Sequence, residues 1–244
     1  METNIIHELN RQTEIISKTI PNCRIIGTFL RGSQNYGLGN ENSDIDSVVL
    51  IFPSREEFIM DKQATNYTID DGDNKIQVLD IRLFFKQLRK SSPNCLELLF
   101  TKYSIINPDY ALDWESIVKQ REKIALYNMG RLFASLKGFI WTNIKQFENV
   151  KDKRHKKAYQ ILRIGEMIQS LIEGKSYEES LKCKSKITKK IKNKEITGLG
   201  NFPIEVGKMA CAKIDKMSFL VLEENEFLDQ MQRDIMLSFI RKVF

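Results

Sequence analysis

The strongest constraint on this chain is a change of hydrophobic period near Asp80. Ahead of it, short β-branched runs at 24–30, 45–52, 64–70 and 75–80 are separated by turn residues, which is the pattern of strands. Asp71-Gly72-Asp73 between the last two is a hairpin signal. Behind Asp80 the spacing becomes helical. Short helices are expected at 81–89 and 93–100, with Ser92 and Pro93 opening the second. Long periodic stretches follow at 119–147, 152–173, 203–222 and 224–243. A further helix is expected at 3–18, and Ser54 is placed to cap another. The expectation is an α+β fold: an N-terminal domain on a small mixed sheet over residues 1–110, then a helical domain over 111–244, with the boundary near Asn107-Pro108-Asp109. Trp114, Phe139 and Trp141 read as core residues.

The 244 residues are 42% hydrophobic and 29% charged, which is ordinary for a globular chain and excludes extensive disorder. No apolar run approaches the roughly 20 residues of a membrane span, so no membrane association is expected. Met1-Glu2-Thr3-Asn4 has no basic character, so neither a signal peptide nor a transit peptide is expected. Cys23, Cys95, Cys183 and Cys211 form no Cys-x-x-Cys pair and read as reduced structural thiols of a cytoplasmic protein. The net charge of +6 is unevenly spread: residues 151–194 carry 14 Lys and Arg against 5 acids. Within them, 182–194 holds seven lysines and no acid. Ile187 and Ile191, one helical turn apart, are placed to anchor that run with its lysines outward. Such a patch suits a polyanion, though a solvated helix face has the same composition.

The segment that carries chemistry is Arg31-Gly32-Ser33-Gln34-Asn35-Tyr36-Gly37-Leu38-Gly39-Asn40-Glu41-Asn42-Ser43-Asp44-Ile45-Asp46. A strand runs into Gly-Ser, and a second strand opens with Asp-Ile-Asp. Along a strand Asp44 and Asp46 share a face, about 6–7 Å apart, where hard divalent cations and phosphate oxygens could be bound together. Gly32 has no Cβ to keep a phosphate at a distance, and Ser33 offers a hydroxyl and an amide. Tyr36 and Gly37 shape the loop, and Ser43 either orients Asp44 or caps the strand.

The string Gly-Ser-x-x-Tyr-Gly-Leu-x-x-x-x-Ser-Asp-x-Asp resembles the signature of the DNA polymerase beta-like nucleotidyltransferase superfamily, and within it the predicted nucleotidyltransferases that include the RNA-ligase-associated type. Ile81-Arg82-Leu83-Phe84, Ser92-Pro93-Asn94-Cys95-Leu96-Glu97-Leu98-Leu99 and Lys156-Lys157-Ala158-Tyr159-Gln160-Ile161-Leu162-Arg163 resemble further segments of that family, so the likeness covers roughly residues 24–174. The departures are Ser92 for the family's Asn, Gln160 for its helical His, and Lys75 where an acid is common. The resemblance implies two-metal transfer of a nucleoside monophosphate from an NTP to an acceptor hydroxyl, with Mg²⁺ or Mn²⁺ as cofactor and pyrophosphate released. It implies Asp44, Asp46 and a third acid as catalytic metal ligands, and nucleotide contacts from Gly32, Ser33, Tyr36, Ser43, Lys157 and Arg163. Two candidates stand for the third acid. Asp80 ends the third-acid strand but is also placed to cap the helix at Ile81. Glu97 matches a family position on a helix and could support the site from behind. The expected acceptor is RNA, a tRNA or another 3′ end, held by the basic segment 182–194. A protein hydroxyl, as in antitoxin-type relatives, and an inactive nucleotide- or RNA-binding module are the alternatives.

Overall fold

The computed structural model describes residues 2–40, 43–149, 154–218 and 226–243, the last without its Val243 side chain. The chain forms two compact units. One comprises Met1–Asn35, Gly39–Ile124 and Glu223–Phe244; the other comprises Tyr36–Leu38 and Ala125–Leu222.

The first unit opens with α1 (Glu2–Thr19), β1 (Arg24–Arg31), β2 (Asp46–Phe52), α2 (Arg55–Ile59), β3 (Asn66–Asp71) and β4 (Asn74–Asp80). It continues with α3 (Ile81–Arg89), α4 (Pro93–Leu96), β5 (Ser104–Ile106), α5 (Ala111–Val118) and α6 (Arg121–Leu126), the last reaching the division between the units. The sheet order is β3-β4-β2-β1-β5, and β2–β4 is its one parallel pair, making it mixed. Every residue of β2 after Asp46 is buried, as expected of an unbroken Val/Ile/Leu/Phe run in the middle of a sheet. On one face Ile16 of α1 packs with Val49, Ile51, Ile76 and Val78, while Ile5 and Leu9 meet Leu30 and Ile45. Trp114 of α5 is core, its ring centroid 4.4 Å from Phe29 and 5.8 Å from Phe84.

Three features depart from expectation. A single-turn helix joins a 3₁₀ turn at Glu97–Leu99 in place of one helix over 93–100, and the three-residue β5 is too short to show a period in the sequence. The compact units also do not follow a linear split at residue 110. Helix α12 (Glu226–Val243), late in the sequence, belongs with the sheet, because Phe239 sets its ring 5.7 Å from Phe52 and 4.7 Å from Tyr110.

The second unit contains α7 (Met129–Asn149), α8 (Arg154–Ile172), α9 (Tyr177–Leu181), α10 (Lys186–Lys192) and α11 (Phe202–Asp215). The expected helix over 119–147 is broken because the Asn128 side chain accepts the Arg131 amide at 3.0 Å and starts α7 afresh. Where α11 crosses its neighbours, a Cβ on Gly207 would lie 2.8 Å from Ile161 and 3.0 Å from Ile140, so only glycine permits that approach. Trp141 is exposed rather than core, and of the expected Ile187/Ile191 anchor only Ile191 is buried, with Thr188 taking the other place. The reason is that α8 covers the Thr188/Ile191 side of α10. No helix among the described residues is long and apolar enough to cross a membrane.

Candidate active site

The site begins with a register. Arg31, the last residue of β1, pairs with Asp46, the first of β2, so Gly32 and Ser33 leave the sheet beside Asp46. Gly32 has φ +96°, in a region that L-residues avoid, and a Cβ there would meet nothing within 4 Å. Glycine is therefore required by the backbone and not by crowding. The turn closes with the Asn35 amide donating to the Gly32 carbonyl at 3.0 Å.

Beneath the turn lies Glu97, 1% exposed. Its Oε1 accepts the Gly32 N–H at 2.6 Å and the Asn35 Nδ2 at 2.7 Å. Asn35 Nδ2 also donates to the Leu30 carbonyl, and Thr101 Oγ1 donates to Asn35 Oδ1. A buried carboxylate that accepts two N–H groups makes charge-assisted bonds, which hold the turn more firmly than neutral ones would. With the Gly32 amide so engaged, Ser33 carries the open groups: among the described residues nothing hydrogen-bonds to its hydroxyl or amide. The sequence expectations mark Glu97 as a support but pass over Asn35 and Thr101. Asn two positions after a Gly-Ser turn is the signal available, since Asn commonly closes turns through its side chain.

Asp44 and Asp46 flank Ile45, whose amide donates to Asn74 Oδ1 at 2.8 Å and whose carbonyl accepts Gln12 Nε2 at 2.9 Å. Ile45 is buried, Asp44 exposed and Asp46 half-buried, which is the alternation of extended chain although β2 begins only at Asp46. Asp46 Oδ1 accepts the Lys75 amide at 2.9 Å. Ser43 is turned to Asn40, donating to its side chain at 3.0 Å and accepting its amide at 2.9 Å.

Asp80 is not brought to this pair. The parallel register sets Ser47 against Ile76 and Ile51 against Asp80. Asp80 therefore stands five residues beyond Lys75, about 16 Å along the strand from the Asp46 end. There it caps α3, accepting the Arg82 amide at 2.8 Å, and its fully buried carboxylate receives the Arg82 guanidinium at 2.6 Å. That bond raises the Arg82 pKa further above its usual value. The hydrogen bonds to the Asp80 carboxylate all come from Arg82, through the amide it caps and through the guanidinium. On the face carrying Asp46, β4 presents Lys75, ion-paired with Asp70, and Gln77, which accepts Arg31 Nη1 at 2.7 Å. Among the described residues no three acids, histidines or cysteines converge as a metal site. Asp44 and Asp46 alone suit one Mg²⁺, which is commonly held by one or two carboxylates with phosphate and water oxygens completing its shell.

The other candidates lie in the second unit. The Arg163 guanidinium, on α8, is buried and stacks 3.7 Å above the Tyr36 ring, a cation–π contact that ties the loop segment Tyr36–Leu38 to its own unit. The Tyr36 carbonyl accepts the Cys183 amide at 2.9 Å. Lys157 is half-buried near the start of α8.

No protein-family model matches the chain, and no curated protein matches it. Among solved structures it is similar to a nucleotidyltransferase-like protein from Exiguobacterium sibiricum 255-15, with 8% identity and a TM-score of 0.30 over 96% of this chain and 79% of that one. A score that low does not establish a shared fold.

Proposed function

We propose that the chain is a metal-dependent nucleotidyltransferase of the polymerase beta-like kind, moving a nucleoside monophosphate from an NTP to an acceptor hydroxyl. The observation that carries this reading is the register that sets the Glu97-held Gly32-Ser33 turn beside Asp46. Ser33 would bind phosphate oxygens through its open hydroxyl and amide, and Gly32 would keep the turn low. Asp44 and Asp46 would hold a divalent ion, which when bound supplies charge neutralisation on the phosphates. Glu97 and Asn35 would keep the turn rigid, so that little reorganisation is needed as charge develops. Asp80 has no part in this reading.

For the acceptor we favour RNA, because segment 182–194 carries seven lysines and no acid. Reversing the charge of Lys189, Lys190 and Lys192, each exposed or partly so, should weaken RNA binding regardless of sequence and reduce its salt dependence by about one unit of slope for each phosphate no longer neutralised. An unchanged salt slope would move the acceptor to a protein or a small molecule. A second reading, a module that binds nucleotide without transferring it, is favoured by one observation: Lys75 and Gln77 stand where a third acid would be needed. Incubation with α-labelled NTPs, Mg²⁺ or Mn²⁺ and total RNA or lysate separates the readings. Label on RNA or on protein supports transfer and names the acceptor. Bound but untransferred nucleotide supports the module, and no nucleotide binding overturns both.

A further inference from the structure

The second unit carries an apolar groove that nucleotidyl transfer does not use. It is a cavity of about 300 Å³ between α8, α10 and α11. Three large apolar side chains that line it are left in water: Ile187 is 50% exposed, Phe202 44% and Met209 63%. Single exposed apolar residues are unremarkable, but three converging on one concavity mark an interaction surface.

The polar groups around the groove indicate what enters it. The acid that lines it, Glu166, is already engaged: its carboxylate accepts the Lys184 amide at 2.7 Å, the Ser185 amide at 3.3 Å and the Cys183 thiol at 3.2 Å. Gln169 Oε1 accepts Lys213 Nζ at 2.5 Å. Few polar atoms are left to orient a small molecule, which a cofactor pocket requires. The rim, in contrast, is cationic. Along α11, Phe202, Val206, Met209 and Lys213 follow one helical stripe that ends on a lysine. On α10, Lys190 lies one turn from Ile187, and Lys184 and Lys186 stand exposed beside Ser185 and Ile187. Among the described residues none of Lys184, Lys186, Lys190 and Lys213 forms an ion pair, and although Glu173 lies near Lys213 the rim carries an excess of positive charge.

We propose that this groove docks an acidic amphipathic helix of a partner protein, with apolar side chains at i, i+4 and i+7 seated on Ile187, Phe202 and Met209 and flanking carboxylates meeting the rim lysines. Helix-in-groove recognition has this division of labour, apolar anchors for affinity and charge for orientation and rate. RNA would engage the lysines but gain less from the groove, since of its three exposed apolar side chains only Phe202 offers a ring for base stacking and Ile187 and Met209 offer none. The proposal does not rest on the transfer reading, but it shares Lys190 with the segment favoured there for RNA, so the helix and RNA would compete for that lysine.

The test is fluorescence anisotropy on the full chain with three peptides: a synthetic helix with leucines at i, i+4 and i+7 flanked by glutamates, the same residues scrambled, and a lysine-for-glutamate version. A single-stranded RNA serves as competitor. The acidic amphipathic helix should bind at least about tenfold tighter than either control. Ile187→Glu with Met209→Glu, and separately Lys190→Glu with Lys213→Glu, should each weaken it by about tenfold or more, the second pair also flattening the salt dependence. All four positions are exposed, so the variants should keep the wild-type melting temperature, and Met209→Ala with Ile187→Ala provides a milder pair. Equal binding of the scrambled peptide, or indifference to the apolar substitutions, would overturn the proposal. So would RNA affinity that depends on Ile187 and Met209, which would make the groove a nucleic-acid site.

Discussion

At the leading end of β2, Asp46 stands half-buried with the exposed Asp44 before it, an open Ser33 beside it and a lysine amide on one oxygen. At the far end of the parallel neighbour β4, Asp80 is wholly buried, its carboxylate filled by the amide and guanidinium of Arg82. Both are aspartates at strand ends, and both are followed or preceded by the residues the family resemblance would ask for. What separates them is access: Asp46 is partly exposed, while Asp80 is wholly enclosed with Arg82 on both of its oxygens. A carboxylate can serve a ligand only with lone pairs and access to spare, and Asp80 has neither. Glu97 is the instructive intermediate: as buried as Asp80 but at the Asp46 end, it holds the turn that presents Ser33.

The comparison is broken most directly by paired substitutions. Asp46→Asn keeps an acceptor for the Lys75 amide and removes the charge, so nucleotidyl transfer should fall about a thousandfold or more with little change in stability. Asp80→Asn should do the reverse. Asn still caps α3, but Arg82 loses its partner, and stability should fall by an amount near the lower end of about 3–5 kcal/mol because Arg82 is partly exposed and can recover water. The rate per folded molecule should hold. Denaturation and initial rates measured on the same preparations decide it, and a slow but stable Asp80→Asn would return Asp80 to the site.

Next in size is Glu97→Gln. The amide oxygen can still accept from Gly32 and Asn35, but without the charge that strengthens both bonds. The turn loosens while the acids at Asp44 and Asp46 are untouched. The expected result is a loss of about tenfold in kcat/KM, carried mainly by KM for the NTP, with about 1–2 kcal/mol of stability. A loss confined to kcat would mean that Glu97 acts on the reacting atoms and not on the turn.

These contrasts bound what the sequence discloses. The β-branched runs at 24–30, 45–52 and 75–80, the Gly72 hairpin and the Ser54 cap were legible because residue type, turn chemistry and capping are local. Gly32 was marked as a glycine for its missing Cβ, whereas the structure needs glycine there for its positive φ. The register was not legible, and the register decides that Asp80 lies at the wrong end, because a strand-ending Asp reads alike whether its neighbour runs parallel or antiparallel. Neither the return of α12 to Phe52 nor the Asn35–Thr101 support could be seen, since each depends on residues far apart in the chain.

A smaller effect should come from restoring the acid. Gln77 lies on the Asp46 face of β4 within reach of Arg31. Gln77→Glu keeps the length, converts the Arg31 bond to a charge-assisted one and adds a carboxylate beside Asp46. If the chain transfers nucleotides weakly for want of that acid, turnover at saturating Mg²⁺ should rise about threefold to tenfold. A fall would show that Gln77 is needed neutral, as in a module that only binds.

The least intrusive measurement uses two cysteines that report on the two ends. Cys23 lies near Asp80, and its thiol pKa is pushed up to about 11 by burial first, then by the negative charges of Glu57 and Asp80. Cys95 lies near Arg31 and Glu97, and burial pushes it up to about 12 against the opposing pull of Arg31. A thiol whose pKa is raised by folding keeps its proton where the unfolded chain would have lost it. Stability tied to either group therefore declines as pH rises above the unfolded value near 8.5, and little thiolate exists in the folded protein at pH 8. Both should resist iodoacetamide there, but for different reasons. Cys23 is half-buried, so ionisation limits it and its labelling should accelerate steadily toward pH 11. Cys95 is enclosed, so opening of the structure limits it and its rate should track global unfolding. Asp80→Asn removes one of the charges that raise Cys23, so it should speed labelling of Cys23 at moderate pH beyond what its stability loss gives Cys95. Glu97→Gln should leave Cys23 unchanged. If Asp80→Asn shifted both cysteines alike, the two ends would share one electrostatic environment, and the distinction between a site acid and a capping acid would lose its physical basis.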